Sequence, residues 1–170
     1  MTDDNELAEL ARQVGSVMVA HGWRVAAVES CTGGWIAKTI TAVPGSSRWF
    51  ECALITYSNE SKQGLAGVPK ELIDRYGAVS GQVAKAMASG VLTRSAANTA
   101  LAVTGIAGPD GGSAQKPVGT VYMAWHLPGQ QAYSERFHFQ GDRDAVRRQS
   151  VATALAELLR LATVLPADPL

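Results

Sequence analysis

Residues 24–34 read RVAAVESCTGG. An apolar run with the length and composition of a short buried strand stops at Glu29, and Ser30, Cys31, Thr32, Gly33 and Gly34 follow at once. The next stretch, WIAKTITAV, has helical periodicity, so CTGGWIAKTITAV (31–43) is predicted as a helix closed by Pro44-Gly45. A buried strand turning directly into a helix is the building unit of an α/β fold.

The rest of the chain extends that unit in both directions. Leu7, Leu10, Ala11, Val14, Val17 and Met18 recur at three-and-four spacing, which predicts an amphipathic helix over 4–21 ended by Gly22. FECALITYS (50–58) reads as a second strand, too apolar for an edge position, and Cys52 inside it is expected in the core. Three helices follow: 58–67 capped by Ser58 or Asn59, 68–77 between Pro69 and Gly77, and one capped by Ser80 whose many small residues suit close packing. NTALAVTGIAG (98–108) is a buried strand entering a glycine-rich loop. The alternating segments 118–127 and 131–139 predict a hairpin about a PGQ turn. A closing helix spans 141–162 with Asp142 or Gly141 near its cap, and PADPL is a frayed tail. The expected architecture is a three-layer α/β/α domain, residues 1–170, around a mixed, mostly parallel five-stranded sheet.

Composition narrows the function. Fifteen basic and fifteen acidic residues cancel, which argues against electrostatic capture of nucleic acid or an anionic membrane and favours a small-molecule ligand. No apolar run approaches the ~20 residues of a membrane span, and the acidic MTDDNELAEL is unlike a signal peptide. A cytoplasmic protein is expected. Cys31 and Cys52 form no disulfide framework, and with His21, His126 and His138 they lack metal-ligand spacing, so neither metal nor cofactor is expected.

If the first three strands are parallel, their carboxyl ends meet on one sheet edge, where α/β folds bind ligands. Those ends carry residues 29–34, then Thr56, Tyr57, Ser58 and Asn59 with Lys62 a turn later, then Thr104, Gly105 and Gly108. Ser30 is either a helix cap or a nucleophile beside helix N–H groups that could hold an oxyanion. Its neighbour Cys31 is a rival nucleophile or a small buried residue. No histidine offers a base, and no SxxK tetrad exists at Ser30. Lys62 could serve across space if burial keeps its amine neutral, or it could be a solvated surface lysine. Tyr57 could relay a proton or simply pack. Glycines of GIAGPDGG could cradle phosphate weakly, and Arg143, Arg147 and Arg148 could pair with phosphate or lie solvated.

Five collinear blocks together carry a resemblance: ESCTGGWIAKTITAVPGSS, ITYSNESKQGLAGV, GAVSGQVAKAMASGVL, AVTGIAGPDGGSAQKPVGTVYMAW and GDRDAVRR. From about residue 5 to 162 the chain resembles the CinA C-terminal domain family in its stand-alone nicotinamide-nucleotide amidohydrolase (NMN deamidase) form. Residues 113–115 are less family-like. The resemblance implies a mixed five-stranded α/β/α fold and hydrolysis of the nicotinamide mononucleotide carboxamide, serving pyridine nucleotide salvage. It implies Ser30 as nucleophile, Lys62 as base, Lys62 or Tyr57 as the catalytic group that returns a proton to the departing ammonia, and Thr104 as a further site residue. It makes Cys31 a neighbour whose side chain turns inward. Main-chain N–H groups around Cys31, Thr32, Gly33 and Gly34 would hold the oxyanion. Gly105 and Gly108 would approach the substrate, and Arg143 or Arg147 would bind the nucleotide. A homo-oligomer, preferably a dimer, is expected. The competing reading is a non-catalytic nucleotide- or protein-binding module linked to competence or DNA damage.

Overall fold

The computed structural model describes residues 3–166; residues 1–2, and 167–170 of the expected frayed tail, lie outside the described residues. The chain runs α1 (Asp4–His21), β1 (Val25–Glu29), α2 (Trp35–Thr41), a 3₁₀ turn (Ser46–Arg48), β2 (Phe50–Ile55), α3 (Asn59–Gly64), α4 (Lys70–Tyr76), α5 (Gly81–Leu92), β3 (Thr99–Gly105), β4 (Thr120–His126), β5 (Tyr133–His138) and α6 (Arg143–Val164). One five-stranded sheet has the order β2-β1-β3-β4-β5. β1 pairs in parallel with both β2 and β3, and β4 pairs antiparallel with β3 and β5. Only β4 therefore runs against the other strands, and the ends of β1, β2 and β3 fall on one edge as the sequence predicts.

Strand alternation divides the core in two. Val25 and Ala27 of β1, with Leu101 and Val103 of β3, face α1, α2 and α6. Ala26 and Val28, with Ala100, Ala102 and Ala124, face α5 and α4. The second face is paved with alanine, and α5 meets it with Ala84 and Ala88. Small residues on both surfaces let α5 approach closely.

Several helix boundaries follow from side-chain caps. Asp3 and Glu6 form a capping box on α1, Ser58 and Ser61 form one on α3, and Ser80 and Asp142 cap α5 and α6. Three expectations are corrected. First, α2 begins at Trp35 rather than Cys31, so Ser30 is not its cap. Gly33 and Gly34 have φ of 59° and 96°, and this left-handed pair delays the helix. Second, β2 is an edge strand despite its apolar sequence. Residues 50–54 are half-buried because both faces are partly covered, not because strands flank β2 on both sides, and Ile55 is exposed. Third, Cys52 is half-buried rather than core.

Gly90 of α5 is a point of contact that reaches toward α3. A Cβ there would overlap the carbonyl oxygen of Ala66, in the segment leaving α3. Gly90→Ala should therefore destabilise the protein by about 1–3 kcal/mol or more, the range for overpacking. Urea unfolding measures it, and a change below that range would show that α5 can shift without cost.

Candidate active site

Ser30 prolongs the ladder beyond β1: its N–H donates to Val103 O at 3.0 Å, while Thr56 N–H donates to Glu29 O at 2.8 Å. The nucleophile candidate is thus tied between the ends of β3 and β2. Lys62 arrives from α3, held by its N–H to Ser58 O and by Val68 N–H to its own carbonyl. Its side chain runs inward and is 2% exposed. Nζ lies 3.0 Å from Ser30 Oγ and 2.7 Å from Thr56 O, to which it donates. Burial pushes its pKa below the ordinary lysine value, slightly opposed by Cys31. A neutral amine can donate to Thr56 O and accept from the Ser30 hydroxyl at once, which is the arrangement of a general base.

Cys31 has the opposite character. Its side chain is 5% exposed in the core that faces α1 and α6, and burial raises its thiol to about 12. The thiolate that nucleophilic attack requires is therefore disfavoured. Of two adjacent candidates, the hydroxyl has an amine at hydrogen-bonding distance and the thiol is shut into the core.

A cleft of about 220 Å³ opens over this pair, lined by Ser30, Cys31, Tyr57, Lys62, Thr104, Gly105 and Arg143, with Asn59, Ala78, Val79 and Ala107 completing the wall. Thr104 Oγ1 donates to Ala78 O at 2.9 Å, which ties the approach to α5 to the end of β3. Arg143, in the first turn of α6, donates to Gly108 O at 2.8 Å and to the Tyr57 hydroxyl at 2.9 Å. Tyr57 is 61% exposed, so its phenol stands at the cleft mouth with Arg143.

The other sequence-derived residues stand outside this cleft. Arg147 points the other way: Nε donates to Cys31 O at 3.0 Å, Nη2 donates to Thr32 O at 3.1 Å, and the guanidinium stacks over Trp35. It clamps the turn from behind, lining a separate groove with Gly33, Gly34 and Lys38. Thr32 is fully buried, its hydroxyl donating to Glu29 Oε2 at 2.6 Å. Gly108 contributes a carbonyl, and a Cβ there would strike Val118. The histidines are elsewhere: His21 bonds Ala162 O and His126 bonds Ser89. The sequence pointed to Asn59 only as part of a strand end and did not single out Ala78 or Val79. Asn59 sits in the TYSN run and was legible there as a polar residue at a strand end. Ala78 and Val79 carry no chemical signal. Among the described residues there is no cluster able to hold a metal ion, and no helix is long and apolar enough to cross a membrane.

The sequence profile of the CinA C-terminal domain matches residues 7–162. The chain is 50% identical over 155 residues to "Nicotinamide-nucleotide amidohydrolase PncC" of Escherichia coli (strain K12), covering 91% of this chain and 94% of that protein. It is 51% identical over 157 residues to the protein of the same name from Pseudomonas putida, covering 92% and 98%. Among solved structures, the competence/damage inducible protein CihA from Agrobacterium tumefaciens superposes with a TM-score of 0.89 at 42% identity, covering 94% of this chain and 96% of that one.

The buried, high-pKa Cys31 leads to a direct test. Iodoacetamide at neutral pH should leave activity intact, because alkylation needs an accessible thiolate. Rapid inactivation that tracks labelling of Cys31 would restore the thiol as nucleophile.

Proposed function

The chain belongs to the CinA C-terminal domain family, and from that membership together with the cleft we infer that it hydrolyses the carboxamide of nicotinamide mononucleotide, with Ser30 as nucleophile and Lys62 as base. The chain is a nicotinamide-nucleotide amidohydrolase, giving nicotinate mononucleotide and ammonia. The observation that carries the mechanism is the buried Lys62 amine 3.0 Å from the Ser30 hydroxyl. A base at hydrogen-bonding distance is also what a purely binding module would not need.

Neutral Lys62 takes the Ser30 proton as Oγ bonds to the amide carbon. The tetrahedral oxyanion is met by main-chain N–H donors. The resulting Lys62 ammonium, steadied by Thr56 O, passes its proton to the departing nitrogen, which leaves as ammonia. Water, deprotonated by Lys62, then attacks the nicotinoyl ester and frees Ser30. Arg143 is the phosphate anchor in this reading. Two of its five N–H donors are used on Gly108 O and Tyr57, which leaves three for a phosphate. Tyr57 braces that guanidinium. We place the protein in the cytoplasm, and the open, apolar edge of β2 supports the expected homodimer.

Lys62→Arg should be nearly as inactive as Ser30→Ala, since a guanidinium keeps its proton. In the wild type, kcat/KM should rise with pH through the Lys62 titration, because only the deprotonated amine is a base. Desolvation depresses that pKa, so the limb should finish below the ordinary lysine range. A flat profile, or an active Lys62→Arg, removes the lysine base.

Arg143→Ala should cost the nucleotide about 2–3 kcal/mol in kcat/KM, the size of a charged hydrogen bond. It should leave the weak reaction of phosphate-free riboside unchanged. Arg147→Ala should not discriminate between these substrates, because its guanidinium faces the turn. Equal losses on both substrates in Arg143→Ala would exclude phosphate anchoring there.

A further inference from the structure

Glu29 is fully buried at the end of β1, and the reaction as described makes no use of its carboxylate. Four donors converge on it. Oε2 accepts from the Thr32 hydroxyl at 2.6 Å, from Gly34 N–H at 3.0 Å and from Ile36 N–H at 3.1 Å; Oε1 accepts from Ala37 N–H at 2.9 Å. Both oxygens act as acceptors, as an ionised carboxyl provides. Glu29 thus does for α2 what a capping side chain normally does, and Gly34 at the cap position makes no side-chain bond.

The consequence emerges from following each N–H across the turn. Gly33 N–H donates to Ser30 O at 3.0 Å, and Trp35 N–H to Thr32 O at 3.1 Å. Glu29 takes those of Gly34, Ile36 and Ala37. Between residues 31 and 37, the N–H groups of Cys31 and Thr32 make no hydrogen bond to another of the described residues. Their direction is set by their peptide planes. In a trans peptide the N–H points opposite to the preceding carbonyl. Ser30 O faces Gly33, so Cys31 N–H faces away from Gly33; Cys31 O faces Arg147, so Thr32 N–H faces away from Arg147. Cys31 lines the cleft beside Ser30.

The geometry points to Glu29 as the positioning residue of the reaction: by claiming the α2 N–H groups and the Thr32 hydroxyl, it holds the 30–34 turn so that Cys31 N–H receives the oxyanion formed on Ser30. The proposal rests on the serine reading above and adds to it. The donors expected from sequence at Gly33 and Gly34 are committed to the turn itself. Glu29 reaches the substrate only through the backbone it aligns.

A thioamide substrate tests this. Thionicotinamide mononucleotide places sulfur, a larger and weaker acceptor, where the oxyanion forms, so the amide-to-thioamide ratio of kcat/KM reports the fit of the N–H donors. Glu29→Gln keeps the shape but sets an NH₂ group against backbone donors. Thr32→Val removes only the 2.6 Å bond and provides the test if Glu29→Gln does not fold. Both variants should lower kcat with KM near wild type. The ratio should shrink about 10-fold or more in Glu29→Gln, on the scale of oxyanion-donor losses, and less in Thr32→Val. The ascending pH limb should stay in place, since Lys62 is untouched. Folded variants that keep the wild-type ratio overturn the proposal. Turnover surviving in Ser30→Ala overturns the serine reading beneath it.

Discussion

The carboxylate of Glu29 joins the sheet to the chemistry. Its backbone is the last residue of β1, paired with β2 and β3, and its side chain is the first anchor of α2. Between those two fixed points the chain has five residues to reverse direction, and it does so with two left-handed glycines. A buried donor left unsatisfied costs about 1–3 kcal/mol, so four donors meeting on one side chain make the turn stiff. Ser30 stands on that turn and inherits its rigidity, which fixes its hydroxyl against the Lys62 amine.

The second constraint is the burial of Lys62. An isolated charged amine inside a protein is expensive, and the cost is relieved by shedding the proton. α3 is only six residues long and depends on its capping box and on Val68 N–H to Lys62 O to hold its place. The short helix delivers a lysine that would otherwise be solvated into contact with Thr56 O and Ser30 Oγ. Close packing of α5, through alanines and Gly90, keeps the segment after α3 from swinging out.

Two arginines four residues apart on α6 show how one helix serves two purposes. Arg143 reaches the cleft mouth and meets Tyr57, whereas Arg147 passes behind the turn and takes the carbonyls of Cys31 and Thr32. The first stands at the cleft, and the second holds the turn that carries Ser30. In the sequence they are indistinguishable, both falling within GDRDAVRR.

The alternating and helical periodicities of this chain were enough to predict every strand, the α/β/α layers and the convergence of three strand ends, because hydrophobic pattern and caps are local properties. The paired Ser30 and Lys62 were also legible, through the resemblance that motifs carry. The edge position of β2 was not, since an apolar strand reads alike whether a neighbouring strand or partial cover hides it. Nor was the late start of α2, because helix periodicity continues through CTGG and only the backbone angles of two glycines interrupt it. The choice of Ser30 over Cys31 on physical grounds, the depressed lysine, the division of labour between Arg143 and Arg147 and the use of Glu29 all belong to tertiary structure. Each depends on which groups lie within hydrogen-bonding reach in the folded chain, from the 3 to 8 residues between Glu29 and its donors to the 116 between Cys31 and Arg147, and on which are shut off from water, and neither quantity is carried by local sequence.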